Sequence, residues 1–318
     1  MLIDSAETPQ HDIRMMMARE FPNVKATTVV TSIVNSSRME SIFKQFRPEL
    51  VFHAAAYKHV PMMEDNPSES VNNNVLGTKV IADLSVKYGV GKFVMISTDK
   101  AVNPTNVMGC SKRICEIYVQ SLNKAEKEGK VEGHTQFITT RFGNVLGSNG
   151  SVVPLFQKQL AQGGPLTVTD KRIIRFFMTI PEACSLVMEA GSIGKNNEIF
   201  VFDMGQPVKI YDLAKRMIQL SGLNNIEIKE IGLRPGERLY EELLATKENT
   251  LPTENPKIMR AAVRNYNPDE VDEMIKVLEQ ILASCDDFGI VRQMKRIVPE
   301  FKSNNSVFCQ LDQEVENS

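Results

Sequence analysis

An α/β fold built on a parallel sheet is what this 318-residue sequence predicts, on three observations. Strand and helix patterns alternate through the first half, which is the order a parallel sheet requires. The apolar run Phe93-Val94-Met95-Ile96 reads as a buried parallel strand. The largely polar stretch from Ser97 to Lys112 follows it directly, and open α/β sheets place their ligands at that end of a strand.

The elements follow in order. Leu50-Val51-Phe52-His53-Ala54 reads as a strand, and a helix runs from about Ser68 to Tyr88-Gly89, with Asn66-Pro67 as its start signal. After Phe93–Ile96, Asn103-Pro104 marks a turn and a helix spans Met108 to about Lys124. Phe137 to Phe142 is strand-like and ends at Gly143-Asn144. Beyond Ser151 the pattern is mixed: a helix at 152–162, extended segments at Leu166–Val168 and Phe176–Ile180, and a helix opened by Pro181-Glu182. A late strand at Ile199–Asp203 returns to the main sheet. Helix, strand and helix are then expected at Lys209–Leu220, Ile226–Glu230 and Arg234–Leu244. Asn267-Pro268 starts a helix that reaches about Ala283, and the polar end from Lys302 reads as disordered.

Composition excludes several classes. Net charge is −2, with 42% hydrophobic and 24% charged residues, as in an ordinary globular protein. That balance argues against a nucleic-acid surface, and no apolar stretch approaches the roughly 20 residues of a membrane-spanning helix. No signal peptide is evident, so the sequence reads as cytoplasmic. The five cysteines (Cys110, Cys115, Cys184, Cys285, Cys309) are dispersed, which fits reduced thiols rather than disulfides or a metal site.

The chemistry concentrates after Phe93–Ile96. Thr98, Asp99 and Lys100 bring a hydroxyl, a carboxylate and an ammonium to one loop. Met108 and Lys112, at i and i+4, share a helix face. Asp99 beside Lys100 suits paired acid–base work, since each neighbour shifts the other's pKa.

A strand ending in Ser97-Thr98 and a helix with lysine four residues after position 108 resembles the extended short-chain dehydrogenase/reductase superfamily, whose usual pair is Tyr-x-x-x-Lys. Thr98-Asp99-Lys100 resembles its nucleotide-sugar 4,6-dehydratases, and Met108 in place of Tyr resembles the large, membrane-anchored UDP-N-acetylglucosamine 4,6-dehydratases of polysaccharide biosynthesis. The resemblance runs from about Leu2 to Ala262. It implies a Rossmann-like doubly wound parallel sheet with a smaller C-terminal substrate-binding subdomain. The divisions are a dinucleotide-binding part at 1–150, an interleaved substrate-binding part at 151–285, and a partly disordered tail at 286–318.

In that frame the first strand and its glycine loop are missing, and the chain reads as N-terminally truncated. Leu2-Ile3-Asp4 resembles the family's second strand, with Asp4 as the acid on the adenosine ribose. The absent strand would lie between Leu2–Asp4 and Leu50–Ala54 in the order 3-2-1-4-5-6. Its loss removes the backbone cradle for the pyrophosphate. Thr31-Ser32 also departs from the family's Gly-Asp, and Ile33 follows as the apolar residue against adenine.

The resemblance implies NAD as cofactor and a UDP-sugar as substrate. Ala54, Ala55 and Ala56 let the nicotinamide half approach the backbone, Lys112 binds its ribose, and His53 is structural. Oxidation at sugar C4 acidifies the C5 proton; Lys100 takes it, Asp99 protonates the departing C6 hydroxyl, and hydride returns to C6, with retention at C5 expected. Met108 cannot deprotonate the C4 hydroxyl, which leaves Asp99, Thr98 or a water. Lys58 and His59 are sugar or phosphate contacts, Asn144 reaches nicotinamide and substrate, and Val168 lies beside the uracil. Arg175 and Arg234 are diphosphate clamps, and Glu237 belongs to the family string Arg234-Pro235-Gly236-Glu237. A UDP-sugar 4-epimerase is the second enzyme reading, and a non-catalytic remnant or sugar-nucleotide-binding protein is the third. Homo-oligomerisation is a fold-level expectation.

Overall fold

A computed structural model describes residues 1–241 and 250–316. Fourteen strands occur among them, in chain order: β1 (Leu2–Asp4), β2 (Thr28–Val30), β3 (Leu50–His53), β4 (Lys92–Ile96), β5 (Gln136–Arg141), β6 (Asn144–Val145), β7 (Leu166–Val168), β8 (Ile174–Arg175), β9 (Phe177–Met178), β10 (Glu198–Phe202), β11 (Val208–Lys209), β12 (Ile228–Glu230), β13 (Thr250–Pro252) and β14 (Ile258–Ala261). The main sheet has the order β13-β14-β10-β5-β4-β3. Its β3, β4, β5 and β10 are parallel, while β14 and β13 run antiparallel at one edge.

The sheet stops at β3. β1 and β2 form a separate parallel pair, so the sheet is broken between β1 and β3, where the resemblance implies a further strand. A cavity of about 350 Å³ occupies the break, lined by Ile3, Ile33, Phe43, Leu50 and Phe52 among others. Burial follows this topology. Phe93, Val94 and Met95 of β4 are fully buried, as a strand covered on both faces requires. Leu50 and Phe52 of β3 are 47% and 46% exposed, because no strand covers that edge.

One face of the sheet carries the helix Val107–Lys127 with Pro268–Leu282 and Asp287–Ile297 packed over it, through Ile114, Ile275, Leu278, Ile290 and Met294. The helix Ile180–Ile193 covers the other face. A third cluster around Phe156, Leu166, Val168 and Ile210 forms the core of a smaller lobe. The expected helix at 68–89 is one helical run from Pro67 to Lys87, interrupted by a π segment at Val71–Leu76. There Asn74 exchanges hydrogen bonds with the backbone of Tyr57, which pins the loop after β3.

Three expectations are corrected. Residues 234–241 are not helical: Gly236 has φ 73° and its N–H donates to the carbonyl of Asn304, so the chain turns there. The remaining part of that expected helix, 242–244, lies outside the described residues. The end from Lys302 to residue 316 is structured rather than disordered. Lys302 and Asn304 donate backbone bonds to Pro104 and Thr105, Phe308 and Leu311 are buried, and Lys295 pairs with Asp312 at 2.6 Å. Two apolar side chains and these polar contacts together dock a stretch that is otherwise polar. The helix Asp287–Ile297, also unexpected, belongs to the same core.

Candidate active site

The loop after β4 is fixed from beneath by a buried charge network. Ser97 donates to Glu116 at 2.7 Å, and Glu116 also receives Arg141 at 2.6 Å and Arg113 at 2.9 Å. Burial pushes the Glu116 carboxyl up, but Arg141 and Arg113 outweigh it and hold it at about 2. This ties β4, β5 and the Val107 helix together under the polar loop.

Above it, Asp99-Lys100-Ala101 form a single 3-10 turn, capped by the Thr98 hydroxyl accepting from the Lys100 N–H. Close packing of that turn requires Gly109: a Cβ there would stand 2.2 Å from the Lys100 carbonyl oxygen. Thr98 Oγ1 donates to Asp99 Oδ1 at 2.8 Å, and Lys100 Nζ donates to the same oxygen at 3.1 Å. Asp99 Oδ2 is buried without a hydrogen-bond partner. Burial first, and then the nearby Glu241 carboxylate, raise Asp99 to about 6 against the pull of Lys100. Burial works against the charge on Lys100, but Asp99 and Glu241 outweigh it and lift its pKa.

Glu241 is the residue that the sequence reading missed. Its side chain is 4% exposed and stands 2.7 Å from Lys100 Nζ and 3.2 Å from Arg175 Nε, while Asn144 donates to it at 2.9 Å. The signal available was its place in the same short string as Arg234 and Glu237, which the expectation of a helix obscured.

The expected residues fall into two groups. Lys58, His59, Lys100, Asn144, Val168, Arg175, Arg234 and Glu237 line one cavity of about 270 Å³. Asp99 lies just behind Lys100. Arg234 is exposed and pairs with Glu237 at 3.6 Å on the wall of the same cavity. Arg175 is more committed: it donates to the carbonyls of Ile174, Arg238 and Leu239 and faces Glu237 and Glu241. Burial lowers the pKa of Lys58, and burial with the charges of Lys58 and Arg234 lowers that of His59.

Asp4, Ile33, Ala54 and Ala55 line the other cavity, in the break between β1 and β3. Ala56 is half-buried and not on its wall. Asp4 is exposed and accepts from the Ala6 N–H at 2.8 Å. Met108 and Lys112 are buried in the Val107 helix and line neither cavity. Burial lowers the pKa of Lys112. His53 is buried against Thr78 at 2.8 Å, and burial with the Lys112 charge holds it at about 3. Among the described residues no helix is long and apolar enough to cross a membrane.

Comparison with known proteins gives a consistent result. Residues 1–263 match the family described as "Polysaccharide biosynthesis protein". The capsular polysaccharide biosynthesis protein CapD of Staphylococcus aureus is 47% identical over 280 residues, 87% of this chain. The chain spans 46% of that protein's length. A UDP-glucose 4-epimerase of Rickettsia akari is 36% identical over 242 residues, covering 76% of this chain and 67% of its own. The X-ray structure of Pen from Bacillus thuringiensis superposes with a TM-score of 0.74 at 32% identity, covering 87% of this chain and 88% of its own.

Proposed function

The chain belongs to the polysaccharide biosynthesis protein family of extended short-chain dehydrogenase/reductases, and on that premise we propose that it carries a nucleotide-sugar 4,6-dehydratase site for UDP-N-acetylglucosamine. The observation that carries the reading is the Asp99–Lys100 pair, a carboxyl and an amine 3.1 Å apart at a strand's carboxyl end beside a cavity with cations at its mouth. Water elimination needs an acid and a base on neighbouring carbons. Passage of one proton along the Lys100–Asp99 hydrogen bond converts the resting ion pair into a protonated carboxyl and a free amine. Lys100 then removes the C5 proton, Asp99 protonates the departing C6 hydroxyl, and the Lys100 ammonium, exchanged with solvent, returns a proton to C5 once C6 is reduced, while Thr98 holds Asp99 in place. Arg234, with Lys58 and His59, offers charge to the diphosphate.

NAD is the proposed cofactor, and solved structures of the same fold hold it, among them a Thermus thermophilus UDP-glucose 4-epimerase. The residues fit it in part. Asp4 and Ala54–Ala55 share one cavity, as the adenosine-ribose and nicotinamide ends require. The first glycine of the sequence is Gly77, so no glycine-rich loop follows β1 or β3 to cradle a pyrophosphate. When bound, the cofactor supplies hydride acceptance and return.

A UDP-sugar 4-epimerase is the second reading, favoured by the epimerase named among the relatives. Incubating the chain with UDP-N-acetylglucosamine and NAD+ and weighing the product separates them. Loss of one water, absent with Asp99→Asn, is expected. An isomer of unchanged mass would establish the epimerase, and no product from folded protein would leave a sugar-nucleotide-binding role.

A further inference from the structure

The reading above gives no work to Glu241, although it is among the more deeply placed charges around the cavity. A carboxylate removed from water is costly unless charges and donors surround it. Here Lys100 at 2.7 Å, Arg175 at 3.2 Å and Asn144 at 2.9 Å do so, and each comes from a different element. Lys100 is thereby held between two carboxylates, with Asp99 on its other side. Glu237 faces Arg175 from the far side at 3.6 Å, Arg238 turns away to Thr105 and the Val102 carbonyl, and Lys58, His59 and Arg234 stand around the same cavity.

We propose that Glu241 is a positioning residue for the Asp99–Lys100 pair, fixing the direction in which the Lys100 amine faces the cavity. Its negative charge also opposes ionisation of Asp99, whose Oδ2 is buried without a hydrogen-bond partner. Glu241 thus strengthens the hold of both Asp99 and Lys100 on a proton, and it fixes the direction of the Lys100 amine. The role rests on the reading of that pair as acid and base, but its electrostatic part can be measured without turnover.

The test is a carbon-13 NMR titration of the Asp99 carboxyl, assigned with Asp99→Asn, in the wild-type chain, Glu241→Gln and Glu241→Asp. Glu241→Gln keeps the shape and removes the charge, and the Asp99 midpoint should fall by about one pH unit. Glu241→Asp retains the charge and should leave the midpoint near that of the wild type. In turnover, Glu241→Gln should lose about a hundredfold in kcat, the cost of misplacing a reacting group by about 1 Å, with KM little changed. Glu241→Asp should recover part of that loss. An Asp99 midpoint unmoved in folded Glu241→Gln overturns the proposal, whatever the turnover. Should Glu241→Gln fail to fold, a midpoint in Glu241→Asp far from the wild-type value overturns it instead. If the wild-type chain forms no dehydrated product while the midpoint still falls in Glu241→Gln, the dehydratase reading fails and the Glu241 effect on Asp99 stands.

Discussion

The two cavities differ in how their walls are completed. Around the first, Thr98, Asp99, Lys100, Asn144, Arg175 and Glu241 hold one another through short polar contacts, and a second buried network, Ser97–Glu116–Arg141–Arg113, supports them from below. Around the second, β1 and β3 stay unpaired with each other across an apolar lining in which Ile33, Met39 and Phe43 are buried but Leu50 and Phe52 stay half exposed. The polar contacts around the proposed acid–base pair come from β4, β5 and the lobe behind them. The break between β1 and β3 leaves those contacts intact.

The sharpest way to break this contrast is chemical. Lys100→Ala and Asp99→Asn should each reduce dehydration about a thousandfold or more, in the range that general acid–base groups contribute. Comparable loss from a substitution in the second cavity that left cofactor affinity unchanged would erase the distinction. Asp99→Asn should also raise stability. Asp99 has a folded pKa near 6 against an ordinary 3.8, so its ionised form is disfavoured by folding. The contribution of Asp99 to stability is therefore highest below 3.8 and falls as pH rises towards 6, and removing the charge should stabilise at pH 7 by about 1–3 kcal/mol. Urea midpoints at pH 7 and pH 4 check the sign.

Glu116→Ala attacks the support under the first site. It leaves Arg141 and Arg113 buried without their shared carboxylate and should cost about 3–5 kcal/mol. The pH dependence is opposite to that of Asp99. Glu116 is depressed to about 2, so its contribution is present above its ordinary value and lost as acid approaches 2. Gly109→Ala is a subtler test, since its methyl would displace the Lys100 backbone. Turnover should fall by at least tenfold, with a smaller change in thermal midpoint.

The smallest effect belongs to the second cavity. Phe52→Ser or Leu50→Ser, at half-exposed edge positions, should change stability by no more than about 0.5–1 kcal/mol. A cost of about 3 kcal/mol or more, as for a buried core side chain, would show that the break is closed in solution.

Much of this contrast was legible in the residues. Phe93–Ile96 announced a two-sided strand because its run is unbroken, and that placed Thr98–Lys100 at a ligand-binding end. The break between β1 and β3 followed from the resemblance, whose sheet has a further strand at that place. Glu241 was not legible, because its partners Lys100 and Arg175 lie far away in sequence and Gly236 turns a stretch that carries a helical pattern. Gly109 and Glu116 read as ordinary helix residues, since only packing reveals the Lys100 carbonyl above one and two arginines beside the other. The docking of 302–316 rests on polar contacts to distant residues and on two buried apolar residues, Phe308 and Leu311, too few to give a periodic signal.

The most direct measurement of the central claim is the reaction of UDP-N-acetylglucosamine with NAD+ in deuterium oxide, scored by product mass and by NMR at C5. An acid and base working across C5 and C6 predict loss of one water and one deuteron gained at C5, both abolished by Lys100→Ala. A product that has lost no water and carries no deuterium at C5 would contradict it.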